Sequence, residues 1–350
     1  MDIALANTAI TTFDMSLVTG MDTINITDNS SETAIFTNLA TGVTIDYTTT
    51  DATASTLNIA QANSSGTSDS QTIIVAAASA DDNLAVTMAD IETLNVSSDT
   101  TNQVDLELAN VSMTASGATS TVNFTGTNDI ELASTNADIS VINASTMGTG
   151  GAVVQTGRSR TDASTYTGSS GGDTFIMMNS GDALTGGSGT DTLDINKAAI
   201  LGGLNVDLSN TTDQVVSFNG AATTGTVLGF ENVDASGYTG SFGAQLTGSS
   251  VANTLTGTGN ADVLDGGAGA DNLTGGAGAD TLYGGSGNGE IDVFYMDNAT
   301  NADGDEFLAK QQRTSASSVA SNAHYNARMF TSAGSLTQGA TCAPRESTSS

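Results

Sequence analysis

The feature that most constrains this chain is a strict period of nine residues. Large apolar residues recur at this spacing in the second half of the chain, at Leu246, Leu255, Leu264, Leu273, Leu282 and Ile291. Four polar residues each precede one of them by two positions: Asn253, Asp262, Asp271 and Asp280. An earlier array has Tyr166, Phe175, Leu184 and Leu193 nine apart, with Asp173, Asp182 and Asp191 in the same relation. Such a short, fixed period indicates a solenoid, in which each unit stacks on its neighbours.

Each nine-residue unit reads as a turn of six residues followed by a strand of three. Glycines occupy up to three positions of the turn, where they allow positive φ and a tight path without a Cβ clash. Several backbone carbonyl oxygens then point into the turn, and the central apolar residue of the strand points into a narrow core. If successive strands cross the solenoid, turns on one edge are 18 residues apart in sequence and about 4.8 Å apart in space.

This arrangement would stack the carboxylates of alternate units on each other. Three pairs result: Asp173 with Asp191, Asp262 with Asp280, and, with one charge fewer, Asn253 with Asp271. Unneutralised carboxylates at this spacing repel each other, which raises their pKa. A hard divalent cation between the turns would remove the repulsion, and oxygen ligands of flexible geometry suit Ca²⁺ better than Mg²⁺. The next partner of Asp271 in this register would be Gly289, so the pattern predicts that the array fails there.

The candidate metal ligands are therefore the polar residues of the two arrays and the turn glycines beside them. The polar candidates are Asp173, Asp182, Asp191, Asn253, Asp262, Asp271 and Asp280. The glycine candidates are Gly186, Gly187, Gly189, Gly257, Gly259, Gly266, Gly267, Gly269, Gly275, Gly276, Gly278, Gly284, Gly285 and Gly287.

The segment GTGNADVLDGGAGADNLTGGAGADTLYGG, which begins at Gly257, resembles the nonapeptide repeat of the repeats-in-toxin (RTX) family. The family pattern is G-G-x-G-x-D-x-U-x, where U is a large apolar residue. Residues 168–195 follow it more loosely, since FIMMNSGDAL lacks most of the glycines. The resemblance implies a parallel β-roll, Ca²⁺ held by turn carbonyls and the aspartates, and export by a one-step (type I) system that reads an uncleaved C-terminal signal. No such signal is recognisable in the C-terminal tail.

The charge of the chain excludes several classes of partner. There are 38 acidic and 7 basic residues, for a net charge of −31. Binding to nucleic acid or to an anionic membrane surface depends on Lys and Arg, so both are disfavoured, whereas cations are attracted. No apolar run reaches the roughly 18 residues of a membrane-spanning helix. The N-terminus shows no secretory signal, so we expect a protein that is either cytoplasmic or exported by a route that leaves the N-terminus intact.

The sequence outside the arrays indicates an all-β chain. Residues 1–165 contain Thr-, Ser- and Asn-rich segments that alternate polar and apolar residues, such as STLNIA at 55, as half-buried strands do. We expect an irregular, β-helix-like N-terminal half (1–165), a first array (166–195), a strand-rich insert (196–245), a second array (246–292) and a poorly ordered tail (293–350).

We expect no enzyme activity. GSSGG at 168–172 satisfies the G-x-S-x-G pattern but lies inside a nonapeptide turn, and a zinc protease motif needs two histidines, whereas the chain has one. An alternative is that the chain is the repeat portion of a secreted enzyme whose catalytic domain lies elsewhere. Another is a carbohydrate- or ice-binding adhesin, which Thr-rich runs such as IDYTTTDATAST at 45–56 would suit.

Our interpretation is an exported, calcium-stabilised parallel β-roll or β-solenoid that acts as a structural or adhesive surface module. The segments MADIETLNVSS and TVLGFENVDAS also resemble sequences found beside such repeats in surface-layer proteins. The partners we consider are calcium ions, further copies of the chain and a cell-surface glycan.

Overall fold

The computed structural model describes residues 1–5, 10–28, 32–49, 55–64, 66–76, 82–98, 106–109, 112–114, 120–133, 139–148, 153–156, 163–286, 291–296, 306–309 and 327–331. These residues form strands and turns and no helix, and so they include no helix suited to crossing a membrane. The chain divides into two units, 1–191 and 192–350.

In chain order, the strands of the first unit are β1 (Asp2–Leu5), β2 (Ile10–Asp14), β3 (Thr23–Asp28), β4 (Thr33–Leu39), β5 (Thr44–Thr49), β6 (Ser55–Gln61), β7 (Ser70–Ala76), β8 (Asp82–Ala89), β9 (Thr93–Ser98), β10 (Leu106–Ala109), β11 (Ser112–Thr114), β12 (Ser120–Gly126), β13 (Ile130–Ala133), β14 (Ile139–Met147), β15 (Val153–Thr156), β16 (Thr165–Thr167), β17 (Thr174–Met177) and β18 (Ala183–Thr185).

Those of the second unit are β19 (Thr192–Ile195), β20 (Lys197–Ile200), β21 (Leu204–Asp207), β22 (Val215–Ser217), β23 (Val227–Leu228), β24 (Asn232–Asp234), β25 (Tyr238–Gly240), β26 (Ala244–Thr247), β27 (Thr254–Thr256), β28 (Val263–Asp265), β29 (Asn272–Thr274), β30 (Thr281–Gly285), β31 (Asp292–Met296), β32 (Glu306–Ala309) and β33 (Ala327–Thr331). The last two strands and all but the first residue of β31 lie in the segment that the sequence assigns to the tail.

The first unit is a parallel solenoid in which alternate strands join opposite sheets. One sheet has the order β1-β3-β5-β7-β9-β12-β14-β16-β18, and the other has the order β2-β4-β6-β8-β10-β13-β15-β17, with β11 also beside β8. Thr23 is aligned with Thr44, and Thr44 is aligned in turn with Thr72, so the second coil is longer than the first. Turns of unequal length therefore explain why the strands of this half are irregularly spaced in the sequence.

Alternation of polar and apolar residues places one face of each strand in the core. Ile24, Ile45 and Ile73 are aligned on three successive strands of one sheet and are buried. Phe36, Ile59 and Met88 form a buried row in the other. Burying a side chain of this size contributes about 1.5–3 kcal/mol, so stacked rows of apolar residues can hold a narrow solenoid together.

The second unit contains the second array and is also built from parallel sheets. One has the order β19-β24-β27-β29-β31-β33, another has the order β22-β21-β26-β28-β30-β32, and β20 pairs with β25. Among the described strands of these sheets, the one antiparallel neighbour is β22, which forms a hairpin with β21. The all-β, parallel solenoid predicted from the sequence is confirmed.

The strand register of the second unit follows the advance predicted from two nine-residue units. Leu246, Leu264 and Leu282 are aligned on β26, β28 and β30, and Leu255 and Leu273 are aligned on β27 and β29. All five side chains are buried. Alternate nine-residue units therefore lie in the same sheet, and their turns lie on the same edge.

The prediction that Ile291 continues the core series is wrong. Leu273 is aligned with Phe294, which is 1% exposed, whereas Ile291 is 39% exposed. The last coil is therefore longer than two nine-residue units, and its core residue comes three positions late. Three additional residues precede the core position, and the nine-residue period then no longer marks it.

Candidate metal centre

The candidate polar ligands all lie in the position immediately before a strand. Their side chains are at most 2% exposed, although six of the seven carry a carboxylate: Asp173, Asp182, Asp191, Asn253, Asp262, Asp271 and Asp280. Placing a carboxylate in the interior is costly unless hydrogen bonds or an opposite charge compensate for lost hydration. The contacts of these side chains therefore show how the turns compensate for this cost.

In each complete pair, the later aspartate binds the backbone of the coil that precedes it on the same edge. The backbone N–H of Asp262 donates to Oδ1 of Asp280 at 2.9 Å, and that of Asp173 donates to Oδ1 of Asp191 at 2.7 Å. The structure therefore brings together the two complete pairs expected from the spacing.

The pair of Asn253 and Asp271 has the same geometry. The N–H of Asn253 donates to Oδ1 of Asp271 at 2.8 Å. The amide of Asn253 adds something that a carboxylate could not, because its Nδ2 donates to the carbonyl oxygen of Glu231 at 2.5 Å. An asparagine suits this position because the coil before it presents an acceptor rather than another turn of the array.

The earlier aspartate of each complete pair closes its own turn. Oδ2 of Asp262 accepts from the N–H of Thr258 at 2.7 Å, and Oδ2 of Asp173 accepts from the N–H of Ser169 at 2.7 Å. The hydroxyl of Thr258 donates to Oδ1 of Asp262 at 2.9 Å. The carboxylate of Asp262 also accepts from the N–H of Ala244 in the preceding coil, so it links its own turn to that coil.

The glycine-poor unit around Asp182 keeps this geometry. Oδ2 of Asp182 accepts from the N–H groups of Met178 and Asn179, both at 2.9 Å, and Oδ1 accepts from the N–H of Ser164 at 2.8 Å. Asp182 faces a serine in the coil below it, so this turn pairs one carboxylate with a neutral residue. In the complete pairs, by contrast, two carboxylates are stacked.

The turn glycines serve two different purposes, whereas the sequence suggested positive φ for all of them. Those at the second and fourth positions of the repeat have positive φ: Gly187, Gly189, Gly267, Gly269, Gly276, Gly278 and Gly285. Those at the first position are buried and outside the left-handed region: Gly186, Gly257, Gly266, Gly275 and Gly284. Gly259 is exposed and has ordinary φ, and Gly287 lies outside the described residues.

The first glycine of a repeat leaves room for oxygen atoms from two coils. A Cβ atom on Gly266 would clash with Oδ2 of Asp271 and would lie 2.8 Å from the carbonyl oxygen of Gly284. At Gly257, a Cβ atom would lie 2.6 Å from Oδ2 of Asp262 and would clash with the carbonyl oxygen of Gly275. The carboxylate of the same turn and a carbonyl oxygen of the next coil on that edge thus converge on each of these positions.

Asp292 is a candidate ligand that the nine-residue register misses. Its Oδ1 accepts from the N–H of Asp271 at 3.1 Å, and its carboxylate would clash with a Cβ on Gly284. These are the contacts that other turn aspartates make, so the expectation that the array fails after Asp271 is wrong. The sequence held a usable signal, because Asp292 precedes Phe294 by two positions, as each aspartate precedes its apolar residue. It lies three positions later than the regular period would place it.

The electrostatics of these turns favour a cation. Lys197 is the one basic residue in the sequence from 163 to 286, and one lysine cannot neutralise six buried aspartates. Burial raises the pKa of Asp262, although the N–H groups of Ala244 and Thr258 act in the opposite direction. A bound cation would lower the cost of the charged form.

Side chains alone do not complete a metal site. Among the described residues, no three His, Cys, Asp or Glu side chains lie together in a way that could hold a metal ion. Calcium commonly takes backbone carbonyl oxygens as well as carboxylates. The convergence of carboxylate and carbonyl oxygens beside the first glycines fits this mixed set of ligands, which suits Ca²⁺ rather than Zn²⁺.

The fold and the turns together define a parallel β-roll with acidic, glycine-rich turns. Residues 248–291 match the family model of the RTX calcium-binding nonapeptide repeat in four copies. The resemblance inferred from the sequence is confirmed for this segment, and this repeat binds Ca²⁺. The first array lies outside the matched residues. No curated protein matches the chain.

Proposed function

We propose that the stacked turns of both arrays bind Ca²⁺, and that Ca²⁺ completes the folding of an exported, non-enzymatic structural or adhesive surface protein. The observation that carries the proposal is the set of turn aspartates joined 18 or 21 residues apart within each unit, all buried except the half-buried Asp292, with one lysine in the sequence around them. The matched segment supports the choice of calcium and, since proteins with this repeat are typically secreted, export.

The ligand positions follow from the contacts of the turns. In the second unit, Asp262 with Asp280 on one edge and Asp271 with Asp292 on the other would contribute carboxylate oxygens, and first-position glycines would contribute carbonyl oxygens. In the first unit, Asp173 and Asp191 would do the same. When bound, calcium supplies the positive charge that these neighbouring carboxylates lack.

Calcium binding of this kind is coupled to folding. The turn oxygens come from coils that are far apart in sequence, so the sites exist only when the coils are stacked. One site that is exposed to Ca²⁺ at 100 times its dissociation constant adds about 2.7 kcal/mol to stability. A few sites would match the roughly 5–15 kcal/mol that stabilises an ordinary domain. The chain would stay loosely folded in calcium-poor cytosol, pass through a type I export system, and fold outside.

The proposal is tested by titrating the full chain with Ca²⁺ from 0.1 to 10 mM, using far-ultraviolet circular dichroism and light scattering, with reversal by EGTA. We expect strand content to rise with Ca²⁺, to rise much less with Mg²⁺, and to fall on chelation. The double variant Asp262→Asn, Asp280→Asn should need at least tenfold more Ca²⁺, whereas Asp265→Asn, which removes a charge from the outer face of β28, should respond as the wild type does. A spectrum that is indifferent to Ca²⁺ would overturn the proposal.

A further inference from the structure

The outer face of the sheet formed by β22, β21, β26, β28 and β30 contains a groove of about 390 Å³. The register aligns Asp207, Thr247, Asp265 and Tyr283 in one row across β21, β26, β28 and β30. All four line the groove. Neither carboxylate belongs to the turn columns, although Asp265 accepts a hydrogen bond from the N–H of Gly267 and so lies at the edge of the candidate metal centre.

A second row completes the floor of the groove. Asn205, Gln245 and Val263 are aligned on β21, β26 and β28, and all three line it. Val216, on the antiparallel strand β22, lines it as well. Val216 and Val263 are 44% and 41% exposed, so apolar surface lies open beside amide and carboxylate groups.

We propose that this groove binds a neutral glycan. Sugars present many hydroxyl donors together with patches of C–H groups on the faces of their rings. Carboxylates accept hydrogen bonds from hydroxyls, and amides both donate and accept them. The exposed valines and the ring of Tyr283 supply apolar and aromatic surface for the ring faces. Small-ligand sites generally combine such apolar contact with a few placed polar groups.

Other ligand classes fit the groove less well. Its described lining residues include no Lys or Arg, which disfavours phosphates and acidic sugars. Asp207 and Asp265 are separated by β26, so they stand about 9–10 Å apart, too far to share one metal ion. An extended peptide would add to a sheet edge through backbone groups, whereas the groove lies on a sheet face.

The assignment deepens the proposed function, and rests on it for the exposure of this unit outside the cell.

The sheet that contains β29 and β31 offers a matched surface for comparison. Tyr295 on β31 is aligned with Thr274 on β29 and is 42% exposed, so it presents an aromatic ring at the strand position that Tyr283 occupies on β30.

The test is binding of the full chain, at 2 mM Ca²⁺, to an array of neutral oligosaccharides that includes β-glucans, mannans and galactans, with cationic polymers beside them for comparison. We expect wild-type protein to bind at least one series, and Tyr283→Ala and Asp265→Asn each to weaken that binding tenfold or more. Tyr295→Ala should leave it unchanged. Asp265→Asn keeps an oxygen that can accept from the N–H of Gly267, as Asp265 Oδ1 does at 3.2 Å.

Three results would overturn the glycan assignment. The first is no binding to any series, and the second is an equal loss of binding in Tyr295→Ala and Tyr283→Ala. The third is binding only to cationic polymers, which would mean that the groove acts only as a negatively charged surface. The circular dichroism response to Ca²⁺ is measured on the same samples. A normal calcium response without glycan binding rejects the groove alone, whereas a missing calcium response rejects the proposed function.

Discussion

At the scale of single residues, a glycine in this repeat is required for one of two reasons. Gly267 and Gly269 have φ values of 93° and 117°, which side chains with a Cβ rarely adopt. Gly266 has ordinary φ, but a Cβ atom there would meet oxygen atoms of two coils. The repeat pattern alone does not separate these cases, because both appear as the same letter.

A substitution at Gly266 tests the second reason. Gly266→Ala should destabilise the protein by about 1–3 kcal/mol, as overpacking does, because the added Cβ clashes with the carboxylate of Asp271. Gly259→Ala is the matched control: nothing lies within 4 Å of its Cβ position, so we expect a gain of about 0.4–1 kcal/mol or no change. Urea denaturation in calcium measures both. Equal changes in the two variants would show that the added Cβ at Gly266 costs nothing beyond an ordinary glycine-to-alanine exchange.

Asp292 offers a second prediction at this scale. If it belongs to the turn column, Asp292→Asn should raise the Ca²⁺ concentration needed for half-maximal folding by threefold or more, because it removes a carboxylate that faces Asp271. Asp265→Asn serves as the control, since Asp265 lies on the outer face. Fluorescence of Tb³⁺ bound in place of Ca²⁺ reads the same sites. Identical calcium midpoints in Asp292→Asn and in wild type would exclude this residue from the site.

At the scale of strands, each three-residue strand of the second array contributes one apolar side chain to the core. The three residues of β28, for example, bury Leu264 and leave Val263 41% exposed. Position in the register, rather than hydrophobicity, therefore decides which residue stabilises the fold.

The last coil provides the sharpest case. Phe294→Ala should cost about 3–5 kcal/mol, the usual range for a buried phenylalanine, because the ring is 1% exposed and aligned with Leu273. Ile291→Ala should change stability by no more than about 0.5 kcal/mol, as is usual for surface positions. Thermal unfolding of both variants at fixed Ca²⁺ compares them. A larger loss from Ile291→Ala would restore the uninterrupted nine-residue period and refute the longer last coil.

Two neighbouring strands also carry a pH-sensitive pair. Burial and, secondly, the nearby carboxylate of Asp234 raise the pKa of Asp194 to about 6 from 3.8. The folded protein therefore holds this proton more tightly than the unfolded chain does. Its contribution to stability increases as pH falls from about 6 towards 3.8, and at pH 7 the charged pair opposes folding.

Asp194→Asn should therefore raise the unfolding temperature at pH 7 and lose that advantage by pH 4.5. The difference between wild type and variant isolates this group from other carboxylates that titrate in the same range. Differential scanning calorimetry at pH 7.0, 5.5 and 4.5 measures it, with Asp207→Asn as a surface control. A difference that does not depend on pH would contradict the raised pKa.

The sequence predicted the elements whose signal is local and periodic. The regular advance of the register followed from the nine-residue spacing of Leu246, Leu255 and Leu264, and the carboxylate stack followed from that advance. Asp292 and Phe294 were missed because three additional residues keep the local D-x-U pattern but break the period. The groove could not be predicted from the sequence, since it depends on the hairpin of β21 and β22 lying beside strands from much later in the chain.

At the scale of the whole molecule, the acidic composition and the repeat act together in the proposed folding mechanism. A net charge of −31 opposes compaction, and the turns bury part of that charge in the stacked columns. Under the proposed function, such a chain would fold fully only where a divalent cation is abundant. The same property would keep it extended before export and ordered afterwards.

The most direct test of this account is the dependence of the unfolding free energy on free Ca²⁺. Urea denaturation of the full chain is measured at 0.1, 1 and 10 mM Ca²⁺ and at constant ionic strength. Once the sites fill, each ion taken up on folding adds about 1.4 kcal/mol per tenfold rise in Ca²⁺. We predict a slope of at least two ions, one for each edge of the second array. A slope of zero, or an equal slope with Mg²⁺, would contradict the account.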